Sequence, residues 1–160
     1  MLGLMVYDSP IGRLSCIFDG GILIKITIND QYTYTYDYKI IDSHPFRWEL
    51  DDYFRGVLRV FSQRIGFIGG TGFQKNVWAR IMDVPFGHTI TYKEIALSLK
   101  IKKGFQAVGV ALGKNPIPIV VPCQRVVGSD GSLRGFSYGV AIKEWLIRHE
   151  QNCLKLTTNV

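Results

Sequence analysis

The chain is poor in the residues that usually build metal centres and disulfide scaffolds. Its three cysteines, Cys16, Cys123 and Cys153, form no CxxC pair, and its three histidines, His44, His88 and His149, are scattered. An odd, unpaired cysteine set argues against a disulfide framework, and neither residue type recurs at zinc-ligand spacing, so no metal and no cofactor are expected. Long hydrophobic runs are also missing, since none approaches the roughly 18 residues of a membrane span. The apolar start, Met1 to Val6, has no basic segment before it and meets Asp8 too early for a signal peptide. A soluble intracellular protein with no membrane partner is the expectation.

What is present is an ordinary globular composition, 47% hydrophobic and 20% charged over 160 residues. That length can bury one good core or two small ones. The formal charge of +6 is unevenly spread. Residues 1–70 hold seven Lys/Arg against eight Asp/Glu, whereas residues 71–160 hold twelve against five. A basic C-terminal half suits a polyanion such as nucleic acid, and equally suits a well-solvated lysine surface.

The N-terminal half reads as a small antiparallel sheet followed by a helix. Strands are expected at Leu4–Tyr7, Leu14–Phe18 and Ile22–Ile26, separated by Ser9-Pro10-Ile11-Gly12 and Asp19-Gly20-Gly21. Tyr32, Tyr34, Tyr36 and Tyr38 alternate with polar residues, which places four rings on one strand face, either half-buried or available to stack on bases. From His44 the period becomes helical through Phe46, Leu50, Tyr53, Phe54, Val57, Leu58 and Phe61. Gly66, Gly69, Gly70 and Gly72 then break the pattern where the charge changes sign, which sets the expected domains at 1–68 and 69–160.

Beyond the boundary, Thr71 can cap a helix running to Met82, and Thr91 can cap another from Tyr92 to about Lys100. The short turn Ile101 to Gly104 leads to a third helix, Phe105 to about Lys114. Two short helices joined by a Gly-containing turn outline a helix-turn-helix, and also any helical hairpin. The small residues Ala107 and Gly109 would permit close backbone approach to DNA or to another helix, in a neighbourhood made basic by Lys100, Lys102, Lys103 and Lys114. A last helix is expected from about Val140 to Gln151.

Between these helices lies Ile117-Pro118-Ile119-Val120-Val121-Pro122-Cys123-Gln124-Arg125-Val126-Val127. An apolar β-branched run passes through a proline that stiffens the chain entering Cys123. A lone cysteine so placed is either a packed small hydrophobe or a presented nucleophile. Leu133 to Tyr138, flanked by glycines, could return to wall a pocket beside it.

Taken together, Pro122-Cys123-Gln124-Arg125-Val126 resembles the Pro-Cys-His-Arg-Val signature of the O6-alkylguanine-DNA alkyltransferases, also called methylated-DNA–protein-cysteine methyltransferases. The resemblance extends in order through Gly70 to Trp78, Pro85 to Tyr92, Ala107-Val108-Gly109, Asn115 to Pro118 and Lys143 to Glu150, and more weakly through Ser9 to Gly12 and Asp52 to Gly56. It implies an α+β protein: a small N-terminal antiparallel sheet-plus-helix domain, then a mostly helical winged helix-turn-helix domain. The implied activity is suicide repair. Duplex DNA is bound in the minor groove by a monomer, the alkylated guanine is flipped out, and its O6-alkyl group passes irreversibly to the protein.

By the same resemblance Cys123 is the acceptor, and Glu150 ends a relay of cysteine, water, histidine and carboxylate. Tyr92 presses on the target phosphate, Asn115 is the hinge before the active-site segment, Phe136 and Ser137 line the pocket, and Arg125 supports the site from beneath. Gln106, Ala107, Gly109, Lys114, Lys102 and Lys103 would face DNA. The implied location is cytoplasmic and nucleoid-associated, or nuclear in a eukaryote. Relatives that only flag alkylguanine, and helix-turn-helix regulators, are the competing readings, and neither needs an acceptor thiol.

Three positions depart from the family pattern. Gln124 stands where the relay has histidine, and an amide can orient a water but cannot take a proton. Gln106 stands where an arginine finger is usual, which should make DNA binding weaker and less salt-steep. Phe136 replaces a tyrosine, so stacking is retained without the hydroxyl.

Overall fold

A computed structural model describes residues 1–30, 37–101 and 105–158. The chain divides into two compact units, Met1–Ile68 and Gly69–Val160. The first unit is built on β1 (Gly3–Ser9), β2 (Gly12–Asp19) and β3 (Ile22–Ile28), with a short β4 (Lys39–Ile40) and helix α1 (Phe46–Phe54). The strand order is β3-β2-β1-β4. β1, β2 and β3 pair antiparallel as the turn residues require, with Met5 opposite Cys16 and Cys16 opposite Ile26.

The expected sheet was purely antiparallel, and β4 corrects this by joining the edge of β1 in parallel. Two residues are too few to carry an alternation pattern. The tyrosine row lies outside the described residues except for Tyr38, which packs partly buried against the Leu4, Ile17 and Ile24 cluster.

Helix α1 buries Phe46, Leu50 and Tyr53. It stops at Phe54, short of the expected end at Phe61. Gly56 takes φ +79°, its N–H bonds the Tyr53 carbonyl at 3.0 Å, and the Val57 N–H bonds the Asp52 carbonyl at 2.9 Å. This is a Schellman stop, which glycine reaches without steric cost. Phe61 still packs on Phe46 and Tyr53 from beyond the helix, with ring centroids 5.9 and 5.4 Å away.

The second unit holds α2 (Gly72–Ile81), β5 (Ile90–Thr91), α3 (Tyr92–Ser98), α4 (Phe105–Gly113), a 3-10 turn at Cys123–Arg125, β6 (Val126–Val127) and α5 (Val140–Thr158). α2 and α3 both begin with complete capping boxes. The Thr71 hydroxyl accepts from the Gln74 N–H and the Thr91 hydroxyl from the Glu94 N–H, while each Gln or Glu side chain reaches back to the cap. The buried Trp78 indole donates to the Ala111 carbonyl at 2.8 Å and so pins α2 to α4.

The chain is therefore α+β, with five α-helices among the described residues. α5 runs to Thr158, past the expected end at Gln151. No helix among the described residues is long and apolar enough to cross a membrane.

Candidate active site

The segment from Asn115 to Val127 is held in a shape its sequence would not choose freely. Ile119 sits at φ +76°, a region that a β-branched residue enters at a cost of about 1–3 kcal/mol. It is buried, and the Val121 N–H bonds the Ile117 carbonyl across it at 2.9 Å. Asn115 clamps both ends of this turn. Its Oδ1 accepts from the Ile117 N–H at 2.9 Å and its Nδ2 donates to the Val121 carbonyl at 2.8 Å. Pro122 follows at φ −81°, ψ 62°, an inverse γ-turn closed by the Cys123 N–H on the Val121 carbonyl at 2.8 Å. A strained, doubly clamped backbone thus delivers Cys123 at the start of a 3-10 turn.

The parallel pairing of β5 with β6, Ile90 to Val126 and Thr91 to Val127, then ties the chain just after the thiol to the start of α3. This brings Tyr92 to the site. Cys123 is 7% exposed, and burial pushes its thiol up to about 11. The Asn115 amide, then the Lys143 ammonium, oppose that rise by favouring the thiolate.

Lys143 is almost wholly buried on α5. Its Nζ donates to the Arg134 carbonyl at 2.8 Å and lies 5.9 Å from the Tyr92 ring centroid. Burial pushes this lysine down to about 8, and the charge of Cys123 acts against the fall. The Tyr92 hydroxyl donates to the same Arg134 carbonyl at 2.7 Å. Its phenol is raised by burial first and by the charge of Cys123 second. Gly135, at φ +75°, passes so close that a Cβ there would lie 2.7 Å from the Tyr92 hydroxyl oxygen.

Beneath the thiol lies a second cluster. Glu150 is buried on α5 and accepts from four donors: Arg125 Nε at 2.8 Å, Arg125 Nη2 at 3.2 Å, Gln124 Nε2 at 3.2 Å and the Gly87 N–H at 3.1 Å. The remaining Arg125 fork donates from Nη1 to the Val84 carbonyl at 2.7 Å. Gly87 needs to be glycine here, because at φ +81° an added Cβ would come within 2.8 Å of Leu154 Cδ2. Gln124 is fully buried. Its amide must aim nitrogen at the carboxylate, which leaves Oε1 buried without a partner among the described atoms.

Of the residues expected at the site, Cys123, Gln124, Arg125, Glu150, Asn115 and Tyr92 gather in one unit. Phe136 is buried in the loop before α5. Ser137 Oγ donates to the Gly113 carbonyl at 2.8 Å, fastening that loop to the end of α4. Gln106, Ala107 and Lys114 are exposed on or just after α4, with Gly109 half-buried between them. Lys102 and Lys103 lie outside the described residues.

Sequence reasoning missed Lys143 as a member of the site. A signal was there, since Lys143, Leu146 and Glu150 form one buried stripe of α5 at helical spacing, and a charge on such a stripe needs a partner.

A buried thiol on a rigid backbone, with a cation beside it, is suited to attack a soft alkyl carbon. Residues 72–152 match the family described as 6-O-methylguanine DNA methyltransferase, DNA binding domain. The methylated-DNA–protein-cysteine methyltransferase of Mycobacterium bovis is 35% identical over 95% of this chain and 94% of its own. That of Methanosarcina barkeri is 46% identical over 67% of each. The crystal structure of Mycobacterium tuberculosis O6-methylguanine methyltransferase superposes with a TM-score of 0.86 at 33% identity, covering 98% of this chain and 99% of that one. Mycobacterium tuberculosis OGT in complex with DNA gives 0.87 at 33% identity, covering 94% of each. The chain belongs to the methylated-DNA–protein-cysteine methyltransferase family.

Proposed function

We propose that the protein is a DNA repair alkyltransferase that moves the O6-alkyl group of a damaged guanine onto Cys123 Sγ, once per molecule. The observation that carries this reading is the buried thiol at the end of the Asn115-clamped segment, in a chain of this family. In the transfer, Sγ forms a bond to the alkyl carbon as the carbon–O6 bond breaks. The thiol proton balances the N1 proton that guanine regains. The thioether formed has no leaving group that water can displace, so the acceptor is spent.

The site residues take roles consistent with their positions. Lys143 and the Asn115 amide favour the thiolate. Gln124 cannot carry the proton, but its amide can orient a water that does. Glu150 orients Gln124 and neutralises Arg125. Phe136 and Ser137 wall the base pocket.

DNA binding belongs to the residues 72–152 domain. We assign it to a winged helix-turn-helix of α3 and α4, with Gln106, Ala107, Gly109 and Lys114 on α4 entering the minor groove and Tyr92 pressing on the target phosphate. Lys102 and Lys103 would add backbone contacts. A monomer working on the nucleoid is the expected form.

The high resting thiol and the missing histidine favour one alternative, a protein that flips alkylguanine and flags it without transfer. One assay separates the two. Duplex DNA with a labelled methyl on guanine O6 should leave one equivalent of label on wild type and none on Cys123→Ala. Tight binding by wild type with no label transferred would overturn the transferase reading and leave the flagging one.

A further inference from the structure

Helix α5 carries a second group of reactive side chains outside the Glu150 cluster. Trp145, His149 and Cys153 follow one another at four-residue spacing along one stripe, and all three are half-buried, within reach of solvent. The His149 ring stacks on the Trp145 indole, with centroids 4.9 Å apart and planes 18° from parallel. That stack holds the imidazole in place, and its Nδ1 lies 3.8 Å from Cys153 Sγ, within hydrogen-bond reach for sulfur. Neighbouring charges on the helix are engaged elsewhere, Arg148 with Glu144 at 2.6 Å and Glu150 with Arg125 at 2.8 Å.

A thiol, a base within reach of it and a third group that orients the base form the arrangement that activates a cysteine. With its own proton on Nε2, His149 offers Nδ1 as an acceptor and can take the thiol proton, which leaves a thiolate beside an imidazolium whose face the indole covers. Access separates Cys153 from the other two cysteines. Cys16 is fully buried and Cys123 is 7% exposed, and burial raises both of those thiols. We propose that Cys153 is a second reactive thiol, activated by His149 and modified by low-molecular-weight disulfides. The thiolate attacks one sulfur of the disulfide, a bond forms between that sulfur and Sγ, and the S–S bond of the reagent breaks. The departing thiolate takes the proton from the His149 imidazolium. The products are a mixed disulfide at Cys153 and one free thiol, and excess thiol reverses the step. This chemistry is independent of alkyl transfer to Cys123.

The test treats the full chain with glutathione disulfide at about pH 7, folded and unfolded in urea, and follows the adduct at each cysteine by mass spectrometry of its peptides. In the folded chain Cys153 should be thiolated about tenfold or more faster than Cys16 and Cys123, and about threefold or more faster than Cys153 itself in the unfolded chain. His149→Gln should slow the reaction of Cys153 by about three- to tenfold at neutral pH, and the difference should close at about pH 9.5, above the ordinary thiol range, where an accessible cysteine ionises unaided. A folded Cys153 that reacts no faster than the unfolded one overturns the proposal without recourse to any variant. Equal rates for wild type and His149→Gln at neutral pH, or the same deficit at both pH values, overturn it as well, the second because His149 would then govern access to the thiol and not its ionisation.

Discussion

At the scale of single residues, reactivity turns on what surrounds one sulfur. Burial disfavours its thiolate and Lys143 favours it, so the balance should shift when the ammonium is removed. Lys143→Met should raise the titration midpoint of Cys123 and slow its alkylation by iodoacetamide at neutral pH by about three- to tenfold, read on the Cys123 peptide by mass spectrometry. An unmoved midpoint would remove Lys143 from the mechanism. Gln124 gives the second test. Neutral at every accessible pH, it should leave the wild-type transfer profile without an inflection near the imidazole range. Gln124→His should introduce one near about 6.5 and be faster than wild type at neutral pH. Identical profiles would mean that the relay position plays no part in removing the proton.

At the scale of elements, the Glu150 cluster is a joint between α5, the Gly87 turn and the 3-10 turn of Cys123. Glu150→Gln keeps the shape but leaves the Arg125 guanidinium buried without its counter-charge. It should cost about 3–5 kcal/mol in urea unfolding, and Gln124 loses its anchor with it. On α4, Gln106→Arg adds a cation where DNA is expected. The slope of log affinity against log salt should steepen by about one, and an unchanged slope would place position 106 away from the phosphates.

Elements that were written locally were readable. Thr71 and Thr91 marked the starts of α2 and α3, and the meander followed its turn residues. What escaped depends on contacts far along the chain. The pairing of β5 with β6 joins residues some 36 apart with two residues each, and no alternation pattern survives in so short a strand. The left-handed Ile119 could not be foreseen either, because nothing local favours it and only the Asn115 clamp and burial hold it there. The end of α1 was legible in Arg55-Gly56, where apolar spacing through Phe61 outweighed a glycine stop.

At the scale of the whole molecule, the buried titratable groups set how stability depends on pH. Burial raises Cys16 from 9.0 to about 12 in the folded state. Its contribution is therefore complete below pH 9 and is lost as pH rises towards 12, because the unfolded chain ionises first. Cys123 acts in the same direction between 9.0 and about 11. Lys143, lowered from 10.5 to about 8, acts the other way, so stability gains from it as pH rises between those values. The decline should show cleanly only above about pH 10.5, at up to about 1.4 kcal/mol per pH unit for each proton. Cys16→Ala should be less stable at pH 7 yet show a shallower decline there, measured by urea unfolding across that range.

The Trp78 indole, 2% exposed, gives the molecule an optical handle. It stands under the positive-φ Gly70 at one end and on the α4 carbonyl at the other, whereas Trp48 is in water and Trp145 stacks on His149. With those two replaced by phenylalanine, the remaining emission comes from a dry ring hydrogen-bonded to α4. Its wavelength would then report, without any added dye, whether that helix shifts when DNA arrives.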